Sequence, residues 1–437
     1  MDQGTIRMST EIASVSGRRV WDSRGRPTVE TEVRLAGGAV GRAIAPAGAS
    51  TGSAEAVDKR DGGTAFGGLD VMQAVAAVNA EIANTLRDRD ACDQAGADQA
   101  MIELDGTPNK SRLGGNALVA TSMAIAHAAA NQQGVPLWRH LGGKRDDFKL
   151  PLPEIQIFGG GAHAGRRVDV QDFMVIAVGA GSYEQSLEWT AEVYRAAGRI
   201  MQDAGLMRGV ADEGGFWPAF DSNEQALDFL VRAIEKAGYA PGSEIAISLD
   251  IAATDFGRNG QYRLSADRKT VDADGLSELL LGWLDRYPIV AIEDPLGEDD
   301  GEALARFTAA AGSKVEVIGD DFLCTTASRI EAAADIGACN AALIKPNQAG
   351  TLSETKAALD AARAAGWASI VSARSGETED VTIVHLAVGW GVKQLKVGSF
   401  ARSERMAKWN EGLRIAERLS HSGGNLPARD SFPWGRK

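Results

Sequence analysis

From residue 146 onward the chain alternates short apolar runs with Ala-rich helical stretches, and the apolar runs end in charge. Runs at 152–158, 173–178, 245–250, 289–293, 315–320, 341–345, 369–372 and 394–397 read as strands. Helical segments such as 302–311, 326–336 and 353–366 lie between the later ones. That rhythm is the signature of a parallel barrel or a doubly wound sheet. The charged ends separate the two. ISLD ends in Asp250, IVAIED holds Glu293, VEVIGDD holds Asp320 and AALIK ends in Lys345, with Arg374 and Lys396 following at intervals near one βα unit. An open sheet gathers ligands at one switch point, whereas a barrel turns the C-terminal end of every strand to the same mouth. Recurrence at unit after unit therefore predicts a barrel with these charges on one rim.

The first part of the chain has a different pattern. Residues 12–45 alternate apolar and polar positions around the turn signals SRGRP and GG, which predicts antiparallel strands. Helical spacing follows from 71 to 141 (Val71, Val75, Val78, Ile82, Leu86), so a separate α+β module precedes the barrel. The stretch 113–138 carries no Asp, Glu, Lys or Arg, is broken by Asn, Ser, Thr, His and Gln, and reads as a buried Ala-rich helix. Nothing at the N-terminus resembles a secretion signal, so a cytoplasmic location is expected. A net charge of −13 with no long basic run excludes nucleic acid and anionic membrane as expected partners. Cys92, Cys324 and Cys339 are too scattered for a disulfide framework or a zinc site.

Three carboxylates on one rim repel one another unless a cation or protons relieve them. With oxygen donors and no Cys or His in the set, the pattern favours Mg²⁺. A lysine beside such a cation and a second lysine is expected to titrate below its ordinary value, which suits it to act as a base.

Along nearly its whole length the chain resembles the enolase family. The resemblance rests on WDSRGRPTVETEV from Trp21, PAGASTGSAEAVDKRDGG from Pro46, GGGAHAGRRVDVQDFM from Gly159 and ADEGGF from Ala211. It continues through SLDIAATDF, PIVAIEDPLGEDD, VIGDDF, LIKPNQAGTLSE, SARSGETED and RSER. It implies an N-terminal α+β capping domain (1–145) and a modified eight-stranded α/β, TIM-like barrel (146–437). It also implies two Mg²⁺ ions per site, reversible dehydration of 2-phosphoglycerate to phosphoenolpyruvate, and a homo-oligomer, dimer or larger, with WDSRG and RSER near the interface. By the same resemblance Asp250, Glu293 and Asp320 hold the first metal and Ser50 helps hold the second. Lys345 is the base, Lys396 stabilises the enolate, and Glu213 is the acid, assisted by Asp172. His163 and Gln171 touch the substrate, and Arg374 and Ser375 take its phosphate. The glycine-rich segments 48–52 and 159–161 match closing lids.

The chain departs from the family pattern at the chemistry. SARSGE stands for the usual SHRSGE, putting Ala373 where a histidine is expected, and QDFM stands for QEFM, making Asp172 one methylene shorter. GGGAHA replaces NGGSHA, and Pro346 follows the base and restricts Lys345 to extended backbone. Three readings stay open on sequence: a phosphopyruvate hydratase that tolerates both changes, an enolase-like enzyme for a related phosphorylated or phosphonate acid, and a non-catalytic scaffold. His127, His140, His385 and His421 have no partner spacing and read as structural. The tryptophans form no stripe, and Trp217, near Glu213, reads equally as packing or as part of the mouth.

Overall fold

The computed structural model describes residues 9–420 and 426–435; His421 lies outside them. Strands β1 (Ile12–Trp21), β2 (Pro27–Leu35) and β3 (Val40–Ile44) form an antiparallel meander. Its inner face packs on the helix Gly115–Gln133, nearly every residue of which is buried. Gly41 permits that contact, because a Cβ there would lie 2.1 Å from the Ala128 nitrogen and 2.2 Å from the Ala124 oxygen. The expected buried Ala-rich helix is thus the floor of the first module.

A closed barrel follows. Its strands, in order round the wall, are β4 (Leu152–Gly159), β5 (Asp172–Ile176), β8 (Ala246–Asp250), β12 (Ile289–Glu293), β13 (Glu316–Gly319), β14 (Ala341–Ile344), β15 (Ala368–Ser372) and β16 (Gln394–Ser399), with β16 pairing back to β4. The hairpin β6 (Met207–Val210) and β7 (Phe216–Pro218) extends from β4, and β9 (Gly257–Arg258), β10 (Gln261–Leu264) and β11 (Lys269–Asp272) form a small separate sheet.

One strand departs from the parallel pattern. β5 runs antiparallel to both β4 and β8, pairing Asp172 with Gly159 and with Asp250. A loop with only a single short helical turn, Gly161–Ala164, joins β4 to β5, too little chain for a parallel crossover. Two helices, Tyr183–Asp203 and Asn223–Lys236, then precede β8. Both are started by serine caps: Ser182 accepts from the Gln185 N–H and Ser222 from the Gln225 N–H. Because β5 is reversed, its first residue, rather than its last, sits on the rim with the C-terminal ends of its neighbours.

The far end of the barrel is covered by the C-terminal segment, whose Phe432 is fully buried against Leu152, Ile176 and Ala246. The meander module is fastened to the rim end. Ala47 bridges to Gly376, the Ile44 N–H donates to Asp380 at 2.9 Å, and Asp98 accepts from the Ser353 N–H at 2.9 Å.

Candidate active site

The rim charges are buried and paired. The Lys396 ammonium donates to Asp250 at 2.8 Å and Glu293 at 2.7 Å, with Asp172 at 3.6 Å. The Lys345 ammonium contacts Asp320. Gln171 donates to the same Asp250 oxygen at 3.0 Å, and Gln348 to the other Asp320 oxygen at 2.9 Å. Asp250, Glu293 and Asp320 are thus brought to one rim but shared between two lysines. Among the described residues, the sets of three possible ligands lying within 4.8 Å of one another are His163, Asp172, Glu213 and Asp294, Asp320, Asp321.

With no cation on the rim, the carboxylates set the direction for both lysines. Burial alone would lower Lys345, but the Asp320 carboxylate outweighs it and raises the ammonium above its ordinary value. Lys396 is likewise raised, since Asp250 and Glu293 overcome its desolvation. Burial and the Asp250 charge push Glu293 well up, while burial of Asp320 is outweighed by Lys345, which holds it below the usual carboxylate range. Lys345 has extended backbone (φ −124°, ψ 111°), as Pro346 demands, and its N–H is anchored by the Thr325 hydroxyl at 3.0 Å.

Asp172 leads from Lys396 into a second array. His163 reaches Ser375 Oγ at 3.0 Å through Nε2 and Asp172 at 3.3 Å through Nδ1, with Glu213 3.9 Å from Nε2. Burial opposes the imidazolium, but Glu213 and Asp172 prevail and raise His163 to about 9. Burial of Asp172 is in turn outweighed by His163, Lys396 and a hydrogen bond from Gln156, so this acid stays ionised. Gln156 also accepts from the Gly215 N–H at 2.8 Å, tying β4 to the turn that carries Glu213.

Arg374 is nearly fully buried and forms a two-toothed pair with Glu55, at 2.9 and 3.2 Å, while donating to the Ser50 carbonyl at 2.9 Å. Ser50 therefore meets the site through its backbone oxygen. Arg405, of RSER, is fully buried inside the chain, donating to the carbonyls of Arg374 and Val397 at 2.7 Å and of Ser375 at 2.6 Å. Ala373 is buried, its N–H bonded to the Lys396 carbonyl at 2.8 Å.

Sequence reading assigned no role to Glu55, Gln156, Gln348 or Arg405. Glu55, Gln348 and Arg405 lie inside quoted motifs, but only the folded distances reveal their contacts. Nor did it single out Asp294, which has φ 39° and accepts from the N–H groups of Asp320 and Asp321 at 2.8 Å each. Burial and the neighbouring acids raise Asp294 well above its ordinary value and Asp321 to about 8. Among the remaining histidines, His127 bonds Thr382 at 2.8 Å, and burial lowers His385 to about 3.

Residues 12–141 match the family model for the enolase N-terminal domain, and residues 147–426 that for the enolase C-terminal TIM barrel domain. The chain belongs to the enolase family. It is 48% identical over 425 residues to Enolase 1 of Desulfitobacterium hafniense (strain Y51), covering 97% of each chain. It is 46% identical over 414 residues to Enolase 2 of Pseudomonas syringae pv. syringae (strain B728a), covering 94% of this chain and 97% of that one. The enolase barrel accounts for the rim charges as a group, and their donor chemistry fits a hard divalent cation. Asp250, Glu293 and Asp320 offer only oxygen, all three are buried, and Glu293 Oε1 is a buried atom with no hydrogen-bond partner. No helix among the described residues is long and apolar enough to cross a membrane.

Proposed function

We propose that this enolase-family chain dehydrates 2-phosphoglycerate reversibly to phosphoenolpyruvate. The observation that carries the reading is one rim on which two lysines on strand-end carboxylates adjoin a His163, Asp172, Glu213 array, with Asp172 3.6 Å from Lys396. Near-full-length identity to relatives named enolase supports it over a scaffold or an enzyme for another acid.

Asp250, Glu293 and Asp320 would hold Mg²⁺, with Ser50 contributing to a second ion. Bound there, the cations would neutralise the charge that builds on the substrate carboxylate. Freed from Asp320, the Lys345 ammonium would release its proton to solvent, and the neutral amine then takes the proton α to the substrate carboxylate. Lys396 stays charged and stabilises the enolate oxygen. Glu213 delivers a proton to the departing hydroxyl, with His163 and Asp172 keeping the proton-rich side of the site ordered. Gln171 orients the substrate, and Arg374 with Ser375 takes its phosphate, Arg374 exchanging Glu55 for phosphate oxygens. Ala373 stands where the family resemblance leads one to expect a histidine, and His163 is the imidazole that meets Ser375.

The division into a capping domain, 1–145, and a catalytic barrel, 146–437, belongs to the same reading. So do a homo-oligomeric assembly, dimer or larger, and a cytoplasmic location. The test is exchange of the substrate α-proton with solvent deuterium in the presence of Mg²⁺, alongside phosphoenolpyruvate absorbance. Lys345→Met is expected to lower exchange by roughly 10²–10⁴-fold, the usual contribution of a positioned base. Exchange that persists in this variant overturns the assignment of the base, and absent phosphoenolpyruvate formation in the unaltered chain overturns the substrate.

A further inference from the structure

Beside the rim, outside the carboxylate and lysine array, lies a cleft of 980 Å³ that the dehydration leaves unused. Its walls carry Arg166, Arg167, Arg208 and Arg268, a concentration of positive charge in a chain of net charge −13. One acid lines it, Asp221, and it is held by Arg167 at 2.9 Å. Arg166 leans on Asp255 at 3.5 Å. Arg208 and Arg268 form no ion pair among the described residues. Two exposed guanidiniums that line one cleft favour an anion, and their planar forks suit phosphate oxygens.

The cleft also presents an aromatic surface. Trp217, 36% exposed, lines it. Its ring is wedged under the loop that carries His163: a Cβ on Gly165 would lie 2.8 Å from Trp217 Cζ2. The opposite wall is equally fixed. Asp169 accepts from the N–H groups of Ser265 and Ala266 at 2.8 and 3.0 Å and is itself bonded by Asn223 at 2.9 Å, so the turn bearing Arg268 is held in place. A preformed cleft with a flat apolar face and unpaired guanidiniums matches a ligand that has both a ring system and phosphates. Its volume is at the top of the usual range for small-molecule sites, larger than a three-carbon acid requires.

We propose that this cleft binds a nucleoside phosphate, its base stacked on Trp217 and its phosphates taken by Arg208 and Arg268. The site adjoins both halves of the acid array, since Trp217 touches the His163 loop and follows the Glu213 turn along β7.

The test is calorimetric titration of the whole chain with ADP, pyrophosphate and adenosine, at constant free Mg²⁺. ADP is expected to bind with a dissociation constant of ~1 mM or tighter, and each fragment roughly tenfold more weakly. Arg208→Glu with Arg268→Glu should abolish ADP binding, and Trp217→Ala should weaken ADP while leaving pyrophosphate unchanged. Arg374→Gln, at the substrate phosphate position, should leave ADP binding intact. Unfolding curves establish that each variant is folded, and Arg208→Ala with Arg268→Ala replaces the charge reversal if that one is not. Absence of ADP binding, binding that survives loss of both arginines, or loss of binding in Arg374→Gln each overturns the proposal. Pyrophosphate binding as tight as ADP overturns the stacking on Trp217.

Discussion

Arg405 sits under the residues proposed to take the substrate phosphate and is the best single point at which to test how the rim is held. Its guanidinium is fully buried and donates three hydrogen bonds, to the carbonyls of Arg374, Ser375 and Val397. Replacing it by methionine keeps the length and apolar stem but leaves those acceptors without their donor. At about 1 to 2 kcal/mol for each buried acceptor left unmade, Arg405→Met should cost about 3 to 6 kcal/mol. Urea unfolding measures that loss directly. Arg405→Lys keeps a charge but not the fork that spans two adjacent carbonyls, and should fall between the two. The same variants should raise KM for 2-phosphoglycerate more than they lower kcat, because the backbone of Arg374 and Ser375 is what relaxes. A stability loss in Arg405→Met below about 1 kcal/mol would refute the reasoning, since the three carbonyls would then be satisfied without it.

Three further outcomes follow from the contacts. Glu55→Gln removes the charge that competes for Arg374, so KM for the phosphorylated substrate should fall; a rise would show that Glu55 helps binding. His163 is raised from 6.5 to about 9, so its charged form favours the fold fully below pH 6.5 and that contribution disappears as pH rises through about 9. Asp172→Asn should bring the His163 titration, followed by NMR, back toward 6.5, and an unmoved titration would remove Asp172 as a cause. Burial raises Glu316, inside the barrel, from 4.5 to about 8, so ionising it costs stability increasingly across that interval. Gln can still accept the Gln394 bond, so Glu316→Gln should gain stability over the unaltered chain at pH 8 relative to pH 5, and equal urea midpoints shifts at both would count against it.

Sequence alone determined the strand positions, the barrel and the residues on its rim, because a buried strand must be apolar and a charge can recur only where each strand emerges. Asp250, Glu293, Asp320 and Lys345 were legible for that reason, and the extended backbone of Lys345 was legible from Pro346. The family was legible from its long motifs. The tertiary structure decided the rest. Reversal of β5 put Asp172 on the rim by its first residue rather than its last, a consequence of a connection too short to cross over. Only the fold set Lys345 on Asp320 and Lys396 on Asp250 and Glu293, and with no cation present those carboxylates raise both ammonium groups. Contacts such as Glu55 with Arg374 and Arg405 with its three carbonyls join segments hundreds of residues apart or turn inward from a helix. Spacing along a chain encodes which face or end a residue occupies, whereas charge pairing depends on distances that exist only once the barrel closes.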